Sequence, residues 1–169
     1  MANAQVPAVE GWFTSQGPGG VPALLGSRCT SCGTLSFPKA TMFCPNPACT
    51  GSEFDEVPLS TRGRVWSYTD ARYKPPPPYV ATSDPFEPFA IVAVELEAEK
   101  IVVLGQVVPG VRVDDLSIGM EMELVIDTLF TEAAEDGASV DQVVWKWSPV
   151  ASATVNKVAS ATEDGEVAA

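Results

Sequence analysis

Arg28-Cys-Thr-Ser-Cys-Gly33, followed by Cys44-Pro-Asn-Pro-Ala-Cys49, contains every cysteine of this 169-residue chain, spaced C-x2-C-x11-C-x4-C. Four soft ligands in two close pairs describe a zinc ribbon. A tetrahedral Zn²⁺ takes sulfurs at about 2.3 Å, and a short gap lets one tight turn present two thiolates to the same ion. Gly33, directly after Cys32, supplies the positive φ that such a knuckle needs for its amides to face the sulfurs. Two disulfides or four unrelated thiols are the alternative. The N-terminal MANAQVPAV carries neither a basic leader nor a long apolar core, so an oxidising compartment is not expected and a cytoplasmic location is. The chain is also long enough to bury a core without cross-links.

Four thiolates close the coordination sphere, so Cys29, Cys32, Cys44 and Cys49 read as ligands of a structural ion with no position left for water or substrate. Iron is the alternative metal, since rubredoxins use similar knuckles. The wider second gap, with Pro45 and Pro47 inside it, points away from a redox iron site. The chain contains no histidine, and with it go the commonest general base and the commonest catalytic metal ligand. It carries no nucleophile elbow, phosphate-binding glycine loop or dinucleotide fingerprint. Gly17-Pro-Gly-Gly20 lacks a following Lys-Ser/Thr and reads as a turn.

Beyond the ribbon the pattern is β. Val65-Trp-Ser-Tyr-Thr69 follows Gly63 and is rich in aromatic and β-branched residues. Phe89 to Glu97 and Ile101 to Val108 are apolar runs joined at Glu99-Lys100, which predicts a hairpin. Met120, Met122, Leu124 and Ile126 alternate with Glu121, Glu123, Val125 and Asp127, the signature of a strand buried on one side. Val143, Trp145 and Trp147 share a face of a fifth strand from Gln142 to Ser148. Asp114-Asp-Leu-Ser-Ile-Gly119 reads as a single helical turn closed by glycine. Five short strands with a brief turn between the third and fourth predict an OB-type barrel. The expected organisation is a helical segment in 1–26, a ribbon in 27–57, a barrel in 58–150 and a disordered tail in 151–169. The N-terminal helix is placed around Val9 to Ser15, where Trp12 and Phe13 either cap the core or dock onto a partner. Lys74-Pro-Pro-Pro-Pro-Tyr79 predicts a stiff extended loop.

The formal net charge of −12 disfavours a general nucleic-acid binder. Within residues 28–74, however, Arg28, Lys39, Arg62, Arg64, Arg72 and Lys74 face only Glu53, Asp55, Glu56 and Asp70. That window is +2 and the remainder −14. An anionic, nucleotide-like ligand would approach there.

Taken in order, Arg28-Cys-Thr-Ser-Cys-Gly33, Phe37-Pro38, Cys44-Pro45, Gly63-Arg-Val-Trp-Ser-Tyr-Thr69, Pro88-Phe-Ala-Ile-Val-Ala-Val-Glu-Leu96, Asp115-Leu-Ser-Ile-Gly119 and Trp147-Ser-Pro149 carry a resemblance. They resemble the family of standalone proteins with a rubredoxin-like zinc ribbon followed by an OB-fold, which associate with thiolase-like, acyl-CoA-using enzymes. The x4 gap between Cys44 and Cys49 departs from the family pattern. The resemblance implies a mainly β fold and a non-catalytic accessory subunit. Its partner is a thiolase-like enzyme, such as a lipid-transfer-protein-like aldolase or a thiolase of steroid side-chain or other bulky acyl-CoA breakdown, in a heterotetramer without a membrane partner. The complex's CoA thioester would meet Arg62, Arg64 and Arg72 as candidate phosphate ligands, and the partner would meet Trp12, Phe13 and Tyr79. The competing class is a single-stranded nucleic-acid binder, to which Trp66, Tyr68, Tyr73 and Tyr79 offer stacking faces.

Overall fold

The computed structural model describes residues 3–76, 83–133 and 139–150. The expected tail and Tyr79, with the second half of the proline run, lie outside the described residues. Among those described, the regular structure is strand apart from two three-residue 3-10 turns.

A small sheet is laid down first. β2 (Phe13–Thr14) pairs with β3 (Ala23–Cys29), which also pairs antiparallel with β4 (Leu35–Ser36) and β5 (Phe54–Pro58). A barrel then forms from β6 (Arg62–Ala71), β7 (Phe89–Leu96), β8 (Val102–Val107), β9 (Glu121–Ala133) and β10 (Ser139–Pro149). Its strands run in the order β10-β8-β7-β6-β9, and a β9–β10 pairing closes it. All neighbours are antiparallel except β8 and β10, which meet in parallel at Lys146↔Gln106 and Trp147↔Val107. Closure removes the open edges that a five-strand sheet would otherwise expose.

The alternation read in the sequence is what fills the barrel. Val65, Val92, Val94, Leu96, Val103, Met122, Leu124, Val143 and Trp147 point inward and are almost wholly buried. Phe13, Leu24 and Leu59 come from the ribbon side and join the same core, so the two sheets form one packed body. The Glu99-Lys100 hairpin forms as expected, with Lys100 at φ 57° and its amide donating to the Leu96 carbonyl at 3.1 Å.

Two local expectations are corrected. The segment Val9 to Ser15 is not a helix. Gly11 sits at φ 74°, which a right-handed helix cannot contain, and Phe13 is extended opposite Leu24. Earlier in the same segment, β1 (Ala4–Pro7) adds in parallel to β10 along Val140 to Val143. The helical turn read at Asp114–Gly119 is a 3-10 turn at Val113–Asp115, where the Asp115 carboxylate accepts the Arg112 amide at 2.9 Å. Leu116 then drops into the core, and the Gly119 amide donates to the Val65 carbonyl at 2.8 Å.

Candidate metal centre

The four cysteines converge. Cys29 ends β3, Cys32 follows it in a tight turn, and Cys44 and Cys49 bracket the second knuckle. All four sulfurs lie within 4.8 Å of one another. Cys32 Sγ is 3.5 Å from Cys44 Sγ, and Cys29 Sγ is 3.9 Å from Cys49 Sγ. A tetrahedron of sulfurs around zinc has edges of about 3.8 Å, following from its roughly 2.3 Å bonds, so these residues fit the ion.

The backbone explains why both gaps work. In the first knuckle the Gly33 amide donates to the Cys29 carbonyl at 2.8 Å, with Gly33 at φ 76°, and the Cys29 amide donates to Thr34 at 2.9 Å. In the second, Asn46 absorbs the two extra residues. Its side-chain oxygen accepts the Ala48 amide at 3.0 Å, and its carbonyl accepts the Cys49 amide at 2.9 Å. The Gly51 amide points at Cys49 Sγ from 3.4 Å, and the Cys44 amide donates to the Gly51 carbonyl at 3.0 Å. A side chain at Gly51 would press on Ser31 Oγ and Cys29 Sγ, its Cβ falling 2.7 and 3.0 Å from them.

The sulfurs are not electrostatically alike. Thr34, through its hydroxyl and then its amide, holds the Cys32 thiol down at about 6. At Cys49 the Gly51 amide pulls the other way from the neighbouring sulfur of Cys32 and from burial, which prevail and push the thiol up to about 11. At Cys44 the Asn46 amide pulls the thiol down, but burial and the sulfurs of Cys32 and Cys29 outweigh it and leave the thiol raised. A bound dication would stabilise the thiolate form of every ligand and leave no open coordination position.

The three arginines do not converge. Arg62 pairs with Glu123 at 3.2 Å, and Arg64 pairs with Glu121 at 2.6 Å and Glu97 at 3.7 Å on the barrel's outer face. Arg72 pairs with Asp70 at 2.8 Å and opens onto a cleft of about 820 Å³ at the end of the barrel, with Arg112, Gln106 and Lys146 also in its lining. Lys146 is 8% exposed, and its ammonium donates to Asp127 at 2.7 Å and to the Thr128 carbonyl at 3.4 Å. Sequence reasoning passed over Lys146 because it sits between Trp145 and Trp147 on a strand read for its apolar face. The only signal was a lone charge in that run.

Trp12 and Phe13 turn inward. Phe13 is 4% exposed. The Trp12 ring stacks on Trp145 at 5.9 Å and meets Phe37 edge-on at 5.6 Å. These rings fasten the N-terminal segment and the ribbon to the barrel, so for Phe13 the docking expectation gives way to a core role.

The ChsH2 rubredoxin-like zinc ribbon domain matches residues 18–55, and the ChsH2 C-terminal OB-fold domain matches residues 56–127. The chain belongs to the ChsH2 family. A DUF35 domain-containing scaffold protein of Methanocaldococcus jannaschii is 37% identical over 117 residues, covering 68% of this chain and 72% of that protein. The benzoylsuccinyl-CoA thiolase subunit BbsA of Thauera aromatica is 50% identical over 52 residues, a match that spans 31% of this chain and 34% of that subunit. Among solved structures, the chain is similar to one in the Ltp2-ChsH2(DUF35) aldolase at 26% identity and a TM-score of 0.56, covering 85% of this chain and 98% of that one. The cysteine cluster therefore lies in a ChsH2-type ribbon, and the five-strand barrel is its OB-fold.

Proposed function

We propose that this chain is a non-catalytic accessory subunit of a thiolase-fold enzyme that makes or breaks a carbon–carbon bond in a CoA thioester. The partner is an aldolase or thiolase acting on a steroid side chain or a similarly bulky acyl group. The observation that carries the reading is the match of ribbon and barrel together to 98% of a chain in the Ltp2-ChsH2(DUF35) aldolase. The ribbon's ion is structural zinc, because four thiolates close its coordination sphere and hold the knuckles that shape the ribbon. The absence of histidine from the whole chain agrees with leaving the chemistry to the partner. Of the three arginines assigned to the CoA phosphates, Arg72 stands first, since it faces the cleft while Arg62 and Arg64 face the carboxylates of β9.

A tagged form of the chain, drawn through lysate of its native organism at moderate salt, should retain a thiolase-fold protein in stoichiometric amount, with zinc in the same eluate. The purified chain alone should not turn over acyl-CoA. Robust turnover by the chain alone, or retention of nucleic acid in place of an enzyme, overturns the proposal.

A further inference from the structure

The outer face of β6, β7 and β8 is a row-by-row platform fixed by strand register. Ser67 lies opposite Ala93 and Ala93 opposite Leu104, while Thr69, Ile91 and Gln106 form the next row. Val92 and Val94, which alternate with this face, are fully buried, so Ile91, Ala93 and Glu95 lie on the outward side, Ala93 at its floor with 8% exposure. A bulge between Val65 and Ser67 inserts Trp66 and thrusts it out beside this platform. Trp66 is 63% exposed, Leu104 65% and Val102 41%. These two rows carry no charge, on a chain of net charge −12.

The rim differs. Arg64, Glu95 and Val102 make the third row. Arg64 reaches Glu97 and Glu121, and Arg62 reaches Glu123. Four carboxylates thus surround two guanidiniums, leaving the rim acidic at the Val102 end of the platform. Two copies of this chain meeting face to face would set two acidic rims against each other, which disfavours self-association. An apolar surface with a basic rim is complementary. A stable interface takes about 800 Å² from each side, more than three short rows offer, so the platform suits the dry centre of an interface whose polar rim extends it, with Trp66 as anchor.

We propose that this Trp66–Ala93–Leu104 platform is the surface that seats the thiolase-fold subunit, on an apolar patch of that subunit ringed by Lys and Arg. The assignment rests on the accessory-subunit reading above. The test titrates the purified thiolase-fold subunit recovered in the pull-down against the zinc-loaded full chain, the double variant Trp66→Ser/Leu104→Ser, and Val21→Ser. Val21 is 50% exposed on the ribbon side and serves as a control for lost apolar surface. All three should retain their zinc and near-ultraviolet dichroism. The double variant should bind about thirtyfold or more weakly, as loss of a central aromatic anchor does, while Val21→Ser matches the wild type and added salt weakens the wild-type complex. Equal binding by the double variant overturns the platform and leaves the accessory role standing. A wild-type chain that retains no thiolase-fold subunit overturns both. A wild-type homodimer abolished by the double variant overturns the choice of partner.

Discussion

Replacing Trp145 with Ala should separate the ribbon from the barrel energetically. The Trp145 ring stacks on Trp12 at 5.9 Å, meets Phe13 and Phe37 edge-on at 5.9 Å each, and donates from Nε1 to the Leu104 carbonyl at 3.2 Å. Truncating a buried Trp to Ala costs about 3–5 kcal/mol. Trp145 is only half-buried, which places the expected loss near the lower end, about 3 kcal/mol. With a urea dependence of about 2 kcal/mol/M for a domain of this size, the midpoint should fall by about 1.5 M. Trp145→Phe keeps an aromatic face and loses the hydrogen bond and part of the ring, so its cost should be about 1–2 kcal/mol. The assay is urea unfolding followed in parallel by dichroism of the barrel and by release of zinc to a coloured chelator. In the wild type the two transitions should coincide, because Phe13, Leu24 and Leu59 share one core with the barrel. In Trp145→Ala, zinc release should move to lower urea than the barrel transition. A loss of less than about 1 kcal/mol, well short of the cavity cost, or equal losses for Ala and Phe, would refute the idea that this ring couples the two sheets.

Cys44→Ser should leave the ribbon unable to hold zinc tightly, and a chelator should melt β3–β5 of the wild type first, since the ion fixes both knuckles; amide exchange restricted to residues 27–57 would report it, and unchanged protection would count against a structural ion. Asp127→Asn should destabilise more than Lys146→Met, because the first strands a buried ammonium, at about 3–5 kcal/mol for a fully buried pair and less here with Asp127 38% exposed. The second leaves only a partly solvated carboxylate; chemical denaturation ranks the two, and the reverse order rejects the pairing as described. Hydrogen bonds from Thr131 and then Asn3 hold the Asp141 carboxyl below its usual 3.8. Its contribution is therefore present above that value and lost as the pH falls through the lowered one. Thr131→Val should bring the Asp141 titration, followed by NMR, back toward the usual value.

The ribbon was legible because metal chemistry restricts cysteine spacing, and the two extra residues of the second gap changed its turn, built on Asn46, without moving its sulfurs. The barrel strands were legible wherever one face is buried, as in Met122 and Leu124 against Glu121 and Glu123. Where burial gives no alternation, the signal fails. The β1 residues are all exposed, so nothing in Ala4–Pro7 marks a strand, and only pairing to β10 makes it one. Val9 to Ser15 failed for a different reason. Seven residues with two adjacent aromatics fit a helix or a turn-and-strand equally, and the choice falls to Gly11 and to the Leu24 partner of Phe13. The arginines were legible as charges but not as a site, because their carboxylate partners lie up to 61 residues away along the chain.

The same inventory bears on where the chemistry of such a complex resides. A nucleophile or general base needs a group whose proton and lone pair are available to a substrate. Here the four thiols face one another around a closed metal geometry. The buried amine of Lys146 is held by the Asp127 carboxylate and the Thr128 carbonyl. Arg62, Arg64 and Arg72 each meet a carboxylate, and histidine is absent. Arg62, Arg64, Arg72 and Lys146 are thus paired with carboxylates, while Trp66 and Leu104 stand exposed on the outer sheet face, where the Ser67 and Thr69 rows carry no charge. Exposing apolar surface costs solubility in a free chain, and covering it with a partner recovers that free energy. On the accessory-subunit proposal, substitutions on this face should act through complex assembly. Trp66→Ser/Leu104→Ser should lower the activity of the reconstituted complex in proportion to subunit lost, and saturating the variant with excess partner should restore the wild-type turnover number. A turnover number that stays depressed at saturation would place this face in the catalytic cycle itself.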